Sequence, residues 1–221
     1  MPFLEMDSVS GTKRKRTEGA HEKATKSKKK PQARVDDGES QETRILQLEA
    51  QILESRRHYN NIVTLLEIAT PYSEKTEANI LASVSLCRVY CRLLAAGTLS
   101  KRKETQESEL VIIQWLKARL NEYVDTLLLF MKNEMEPGLQ LTALTLLMRL
   151  VKEEVNQQGP TAWELGIFSQ TVRAVLGSGP GCNPLLLEFR LKYFNEYDDV
   201  RFYTLDSISF VFSTSRIALV Y

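Results

Sequence analysis

The apolar residues of this chain recur at the spacing of an amphipathic helix. From Glu42 onward they return every three, four or seven positions, which places them on one helix face. The pattern predicts a first helix that ends at Thr70, because a residue before proline avoids the helical conformation. The residues on this face are Ile45, Leu48, Ile52, Tyr59, Ile62, Leu66 and Ala69.

Prolines, glycines and capping residues divide the rest of the chain into further helices. Ser73 suits an N-cap, Gly97 suits the residue after a helix, and Pro137 and Pro184 suit a first helical turn. The predicted helices span 73–96, about 108–132, 137–157, 162–176 and 184–196, and a seventh begins near Asp198. No alternating run appears before residue 207, so the sequence predicts an all-α fold.

Two of these helices carry similar sequences, ASVSLCRVY at 82–90 and ALTLLMRLV at 143–151. A repeated helical unit with short connections favours a HEAT-like α-solenoid of stacked helical hairpins over residues 41–206. The matching positions are Ala82 and Ala143, Leu86 and Leu147, Arg88 and Arg149, and Val89 and Leu150.

The first 40 residues form a segment of low apolar content that we expect to be disordered. Residues 1–34 hold ten lysines and arginines against four acids, a net charge of +6, whereas the other residues sum to −5. A merely solubilising tail is one interpretation. The favoured one is a bipartite nuclear localisation signal that importin binds, formed by two basic clusters: Lys13, Arg14, Lys15, Arg16 and Lys26, Lys28, Lys29, Lys30.

The first predicted helix crowds polar side chains into the stretch ESRRHYNN, residues 54–61. Arg56, Arg57 and Asn60 point away from the apolar face of that helix and are free to meet nucleic-acid phosphates or an acidic partner surface. A solvated helix face is the alternative interpretation.

The sequence offers few candidates for catalytic or metal-binding residues. His58 has no visible aspartate partner, which favours an ordinary helical histidine. Cys87 and Cys91 point the same way on one helix, but zinc needs two more ligands, which favours core cysteines.

The uneven spacing of the three cysteines predicts a reducing compartment. The apolar runs end short of the ~20 residues of a membrane helix. We therefore expect that the protein is not an enzyme and that it binds no cofactor, no metal and no membrane.

Aromatic residues concentrate near the end of the chain. A packed core between helices is one interpretation of this cluster, and a partner-binding surface with Arg201 and Tyr203 as contacts is the other. The last residues, 207–221, alternate like a strand and break the helical trend. The aromatic cluster is Phe189, Tyr193, Phe194, Tyr197, Phe202, Tyr203, Phe210 and Phe212.

Two stretches, ILESRRHYNNIVTLLEIA at 52–69 and LKYFNEYDDVRFYTL at 191–205, resemble the N-terminal half of fungal members of the nucleolar-complex-associated, CCAAT-binding-factor-like family. The resemblance covers residues 40–206. It implies an α-helical repeat scaffold of the nucleus and nucleolus that carries no catalytic residue.

The resemblance also implies partners. Members join the small-subunit processome, pair with nucleolar protein fourteen, and serve 18S rRNA maturation and assembly and export of the 40S subunit; pre-rRNA is a further partner. Full-length members continue with a second helical half that holds the main contact for that protein, so we expect 207–221 to be an aberrant or truncated end. The alternative function is a generic nuclear HEAT-like adaptor in transport or chromatin.

Overall fold

The structure, a computed structural model, describes residues 37–70, 76–101, 106–132, 135–177 and 183–218. Every regular element within these ranges is helical, which confirms the predicted all-α class. The basic tail with its localisation signal and the expected cap Ser73 lie outside the described residues. The helices are α1 (Asp37–Glu54), α2 (Asn61–Ile68), α3 (Thr76–Ala95), α4 (Glu107–Phe130), α5 (Pro137–Gln158), α6 (Thr161–Leu165), α7 (Ile167–Gly177), α8 (Pro184–Phe189) and α9 (Asp198–Ala218).

Two helices, α3 and α5, organise the core. They pack against each other; α3 also contacts α1 and α2, and α5 also contacts α4, α6, α7 and α8. The most extensive packing joins helices two apart in the chain, α1 with α3 and α3 with α5, as in a stack of helical hairpins. The largest fully buried side chains are aromatic: Tyr90, Tyr123, Phe130 and Phe168.

The two similar sequences lie on these central helices and occupy equivalent environments. Ala82 and Ala143 are both buried, which lets the neighbouring helices approach, while Arg88 and Arg149 are both exposed. The other two pairs, Leu86 with Leu147 and Val89 with Leu150, are completely buried. The sequence similarity therefore marks a structural repeat.

Several predicted helix ends are confirmed. Gly97 follows α3 with a φ of 66°, and its N–H donates to the carbonyl of Leu94. Pro137 and Pro184 open α5 and α8, and the Asn183 side chain caps α8 by accepting a hydrogen bond from the N–H of Leu185 at 2.9 Å. At these positions the local sequence is sufficient to predict where a helix begins or ends.

Three predicted helices are interrupted. The first is broken between α1 and α2 by a 3-10 turn at Arg56–His58, and the fifth is divided at Gly166 into α6 and α7. The sixth leaves α-helical geometry after Phe189 and continues as a π-helical segment, Arg190–Phe194. Apolar periodicity continues through all three breaks, so periodicity alone could not reveal them.

The strand-like interpretation of the last residues is wrong. Helix α9 runs from Asp198 to Ala218, and the acidic residues in its first turn interact favourably with the positive end of the helix dipole. The hydroxyls of Thr204 and Ser209 donate to the carbonyls of Val200 and Leu205, one turn earlier. Once started, the helix extends because propagation is easier than nucleation.

Within the described residues, one stretch, Glu77–Ala95, is long and apolar enough to cross a membrane. The sequence analysis predicts no apolar run of that length, and Arg88 and Arg92 do lie within this stretch. The stretch is 61% buried within the protein, and α3 packs among α1, α2 and α5. Its environment is that of a core helix.

Candidate interaction surfaces

The polar stretch ESRRHYNN is a junction between two helices rather than one helix face. Ser55 has extended backbone angles, and its hydroxyl accepts a hydrogen bond from the N–H of Arg57 at 3.4 Å. The side-chain amide of Asn61 donates to Gln51 Oε1 at 2.7 Å and ties the start of α2 to the end of α1. Some of these polar residues therefore serve to turn the chain.

The predicted contact residues of this junction are all exposed. Arg56 Nη1 lies 3.3 Å from Glu109 Oε1 on α4, and since half or more of each side chain is exposed, the pair contributes little to stability. Neither the Arg57 nor the Asn60 side chain bonds to another described residue. These two side chains remain available to a partner.

A cleft of about 110 Å³ opens beside this junction. Arg56 and Glu109 line its rim, and Tyr59, Ile112 and Ile113 supply apolar wall. A cavity of this size holds no more than one side chain of a partner. The opposite charges at its rim give it no strong preference for an anion.

The other two predicted contact residues lie on α9, which packs on α6, α7 and the π-helical segment. Arg201 Nη1 donates to Asp198 Oδ1 at 2.8 Å, and Nη2 donates to the carbonyl of Asn195 at 2.9 Å. Tyr203 stacks on Trp163 of α6, with ring centroids 5.1 Å apart and planes 5° apart. Both side chains hold the start of α9 in place.

The aromatic cluster contains both a core and an exposed part. Phe189 is buried, whereas Phe202 is 64% exposed although its ring and that of Tyr203 form a T-shaped pair with centroids 5.0 Å apart. Leu205, one turn further along α9, is 53% exposed, and Leu165 of α6 is 80% exposed. We call Leu165, Phe202 and Leu205 the apolar end. The packed-core interpretation is confirmed for Phe189, and the partner-binding interpretation stays a prediction.

Sequence reasoning missed the partner of Arg88. Its guanidinium donates two hydrogen bonds to the carboxylate of Glu49 on α1, at 2.7 and 2.6 Å. These bonds raise the pKa of Arg88 above its ordinary value. The pair links α1 to α3, and because its two residues are 39 positions apart in the chain, no local pattern could have revealed it.

The cysteines of α3 lie in the core as predicted. Cys87 is buried and Cys91 is half-buried, with their sulfurs 3.9 Å apart. The contact between the sulfurs raises the pKa of Cys87 and lowers that of Cys91. Among the described residues, no group of three or more histidines, cysteines and acids is placed to hold a metal.

Comparison with known proteins relates this fold to a family. The family model described as nucleolar complex protein 4-like, TPR repeats, matches residues 34–216. An uncharacterised protein of Schizosaccharomyces pombe is 28% identical over 160 residues, which are 72% of this chain and 33% of the relative. The chain thus spans about a third of the length of that relative. No solved structure matches the chain.

The family match covers all the described helices except the last residues of α9. It extends past Asp206 and includes most of the segment that was expected to depart from the family. Its description assigns the helical hairpins to the TPR type, a helix–turn–helix repeat, rather than to the HEAT-like type. The predicted stack of helical hairpins is confirmed.

Proposed function

Because this chain belongs to the nucleolar complex protein 4-like family, we propose that it is a non-enzymatic scaffold of ribosome biogenesis in the nucleolus. In this role it helps to assemble the small-subunit processome for 18S rRNA maturation and for 40S subunit assembly and export. The observation that carries the proposal is the family match over residues 34–216. Helical repeats of this kind present extended surfaces for other macromolecules.

The junction between α1 and α2 is the proposed site of contact with pre-rRNA. Arg57 is an exposed cation with no described partner, and Asn60 beside it offers donors and an acceptor. Phosphate contacts by exposed arginines position a protein on nucleic acid without reading its sequence. Arg56 can join them when it leaves Glu109, because their exposed ion pair is weak.

The apolar end is the proposed site of contact with processome proteins, including nucleolar protein fourteen. Exposed apolar side chains that share one surface are typical of protein–protein interfaces, and Phe202 and Leu205 lie one turn apart on α9. Phe202 supplies an aromatic anchor, and Tyr203 and Arg201 hold the helix that presents it. The basic tail, with Lys13–Arg16, Lys26 and Lys28–Lys30, is the proposed importin ligand.

Affinity purification of the tagged chain from its own cells tests this function, with sequencing of the recovered RNA and mass spectrometry of the recovered proteins. We expect small-subunit pre-rRNA and processome proteins. A matched chain with glutamine at Lys13–Arg16, Lys26 and Lys28–Lys30 should keep its fold and lose nuclear import. Recovery of transport or chromatin proteins instead, from a folded nuclear chain, would favour the generic adaptor.

A further inference from the structure

The two central helices, α3 and α5, run side by side in the same direction. Near the middle of α3 the Cys87 thiol lies 3.7 Å from the carbonyl oxygen of Leu146. Towards the ends of the same helices the side-chain amide of Gln157 donates to the carbonyl of Ala95 at 3.3 Å. Later residues of α3 therefore lie beside later residues of α5, and these two contacts fix the register of the pair.

This register brings four exposed cations to matching levels of the two helices. Arg149, the repeat counterpart of Arg88, lies at about the level of Arg88, and Lys152 lies at about that of Arg92. A side-chain hydrogen bond and burial raise the pKa of the Cys87 thiol, whereas the charges of Arg149 and Arg88 lower it, so both guanidinium groups lie near this thiol. The two residues on each helix are one turn apart and share a face. We call these four residues the basic patch.

The two copies of the repeated arginine differ in their partners. Arg88 is neutralised by Glu49 of α1, which accepts two hydrogen bonds from its guanidinium. Arg149 is exposed and makes no hydrogen bond or ion pair with any described residue. The same is true of Arg92 and Lys152. Three cations of the basic patch therefore remain available to an external anion.

One carboxylate opposes the charge of the basic patch. Glu153 follows Lys152 on α5 and is half-buried, and it forms no ion pair with a described residue. The pair of Arg88 and Glu49 is neutral. The three free cations against Glu153 leave a net charge of +2.

An acidic protein segment suits the basic patch better than nucleic acid does. Among the described side chains of α3 and α5, no exposed one is aromatic, whereas single-stranded nucleic acid is bound through bases stacked on aromatic rings. Charge-driven binding to nucleic acid also neutralises many phosphates at once, and a net charge of +2 matches only a few anionic groups. The pair of Arg88 and Glu49 shows that a carboxylate can meet a guanidinium on this surface in bidentate geometry.

We propose that the basic patch binds an acidic segment of a partner protein, with one carboxylate on Arg149 and others on Lys152 and Arg92. Arg149 thereby gains from the partner what Arg88 already has in Glu49. The basic patch shares no residue with the α1–α2 junction or with the apolar end. Its binding follows from the charges of α3 and α5 and does not rest on the proposed function.

Fluorescence anisotropy with a labelled oligoglutamate peptide tests the basic patch. The parent is the full chain with glutamine at both basic clusters of the tail, because the tail would itself attract an acidic peptide. We expect saturable binding that weakens as salt is added, since exposed charges are screened. An oligoglutamine peptide of the same length should not bind.

Single substitutions in this parent locate the binding site. Arg149→Gln should weaken binding about threefold to fivefold, the usual effect of one exposed ion pair, and Arg149→Gln combined with Lys152→Gln about tenfold or more. Glu153→Gln should strengthen binding, because it removes the opposing carboxylate. Lys117→Gln, at an exposed cation of α4, is the matched control and should bind as the parent does.

Thermal melting checks that each variant is folded, and the melting temperature should hardly change because none of these side chains is fully buried. The proposal is overturned if the parent does not bind the peptide, or if Arg149→Gln and Lys117→Gln weaken binding equally, since general surface charge would then explain it. It is also overturned if an oligouridylate of the same charge binds more tightly than the peptide and loses affinity with Arg149→Gln. The basic patch would then be a nucleic-acid site.

Discussion

Glu154 of α5 accepts a hydrogen bond from the backbone N–H of Ile167, the first residue of α7, at 2.8 Å. A side chain from a neighbouring helix thus fills the place of an N-cap. Gly166 lies against the same carboxylate: a Cβ built on it would stand 2.5 Å from Glu154 Oε2 and 2.4 Å from the carbonyl oxygen of Ala162. The turn between α6 and α7 therefore needs both the carboxylate and the glycine.

Gly166→Ala should destabilise the protein by about 1–3 kcal/mol, the usual cost of overpacking. The added methyl group would meet a backbone carbonyl that cannot move without shifting α6. Chemical denaturation measures the change in the free energy of unfolding. Gly138→Ala is the matched control, because no atom lies within 4 Å of the added carbon and the site is in the first turn of α5. The control should be neutral or up to about 1 kcal/mol more stable.

The stability of the protein should carry a pH dependence that arises from Glu154. Burial raises the pKa of its carboxyl group, although the hydrogen bond from Ile167 opposes this effect. Between the ordinary glutamate pKa, about 4.3, and the raised value, the folded state binds more protons than the unfolded state. Stability therefore falls as the pH rises through this window.

Urea denaturation of Glu154→Gln and wild type across acidic to neutral pH measures this contribution. The glutamine keeps an oxygen that can accept from Ile167 but does not ionise. The wild type should lose stability relative to Glu154→Gln as the pH rises, and the difference should then become constant. Glu164→Gln, at an exposed position on α6, should follow the wild type. Parallel curves for Glu154→Gln and wild type would refute the assignment.

Removing the hydroxyl group should change the free energy of unfolding differently at two stacked tyrosines. The rings of Tyr90 and Tyr123 lie 5.8 Å apart, and both residues are fully buried. The hydroxyl of Tyr123 donates to the carbonyl of Ser83 at 2.6 Å, whereas that of Tyr90 has no partner among the described residues. Tyr123→Phe should cost about 1–2 kcal/mol, and Tyr90→Phe should be neutral or stabilising. Equal losses in the two variants would contradict this difference between the hydroxyls.

Substitutions at and beside the apolar end should affect protein stability and partner binding separately. Phe202→Ser should leave the melting temperature nearly unchanged, because the side chain is 64% exposed, but should reduce the recovery of processome proteins. Tyr203→Ala should lower the melting temperature, because stacked aromatic pairs contribute about 0.5–1.5 kcal/mol beyond their buried area. Unchanged recovery with Phe202→Ser would remove this surface from the proposal.

Much of the fold follows from local sequence. Gly97 and Pro137 mark helix ends through their own backbone preferences, and the shared pattern around Ala82 and Ala143 is sufficient to identify the two central helices. The candidate contacts are less predictable. Arg57 and Arg201 look alike in sequence, but only Arg57 keeps its guanidinium free of described partners, whereas Arg201 bonds to Asp198 and Asn195.

Helical periodicity and capping act over a few residues, so the amino-acid pattern is enough to specify that the described chain is helical and which helix faces are buried. The positions of the helix breaks, and the choice of polar side chains that stay free, depend on tertiary packing. The Ser55 turn and the Gly166 turn form where neighbouring helices meet, and Glu109 reaches Arg56 across 53 residues of chain. Such contacts join residues that are distant in the chain and meet only when the helices pack, so no short sequence pattern can predict them.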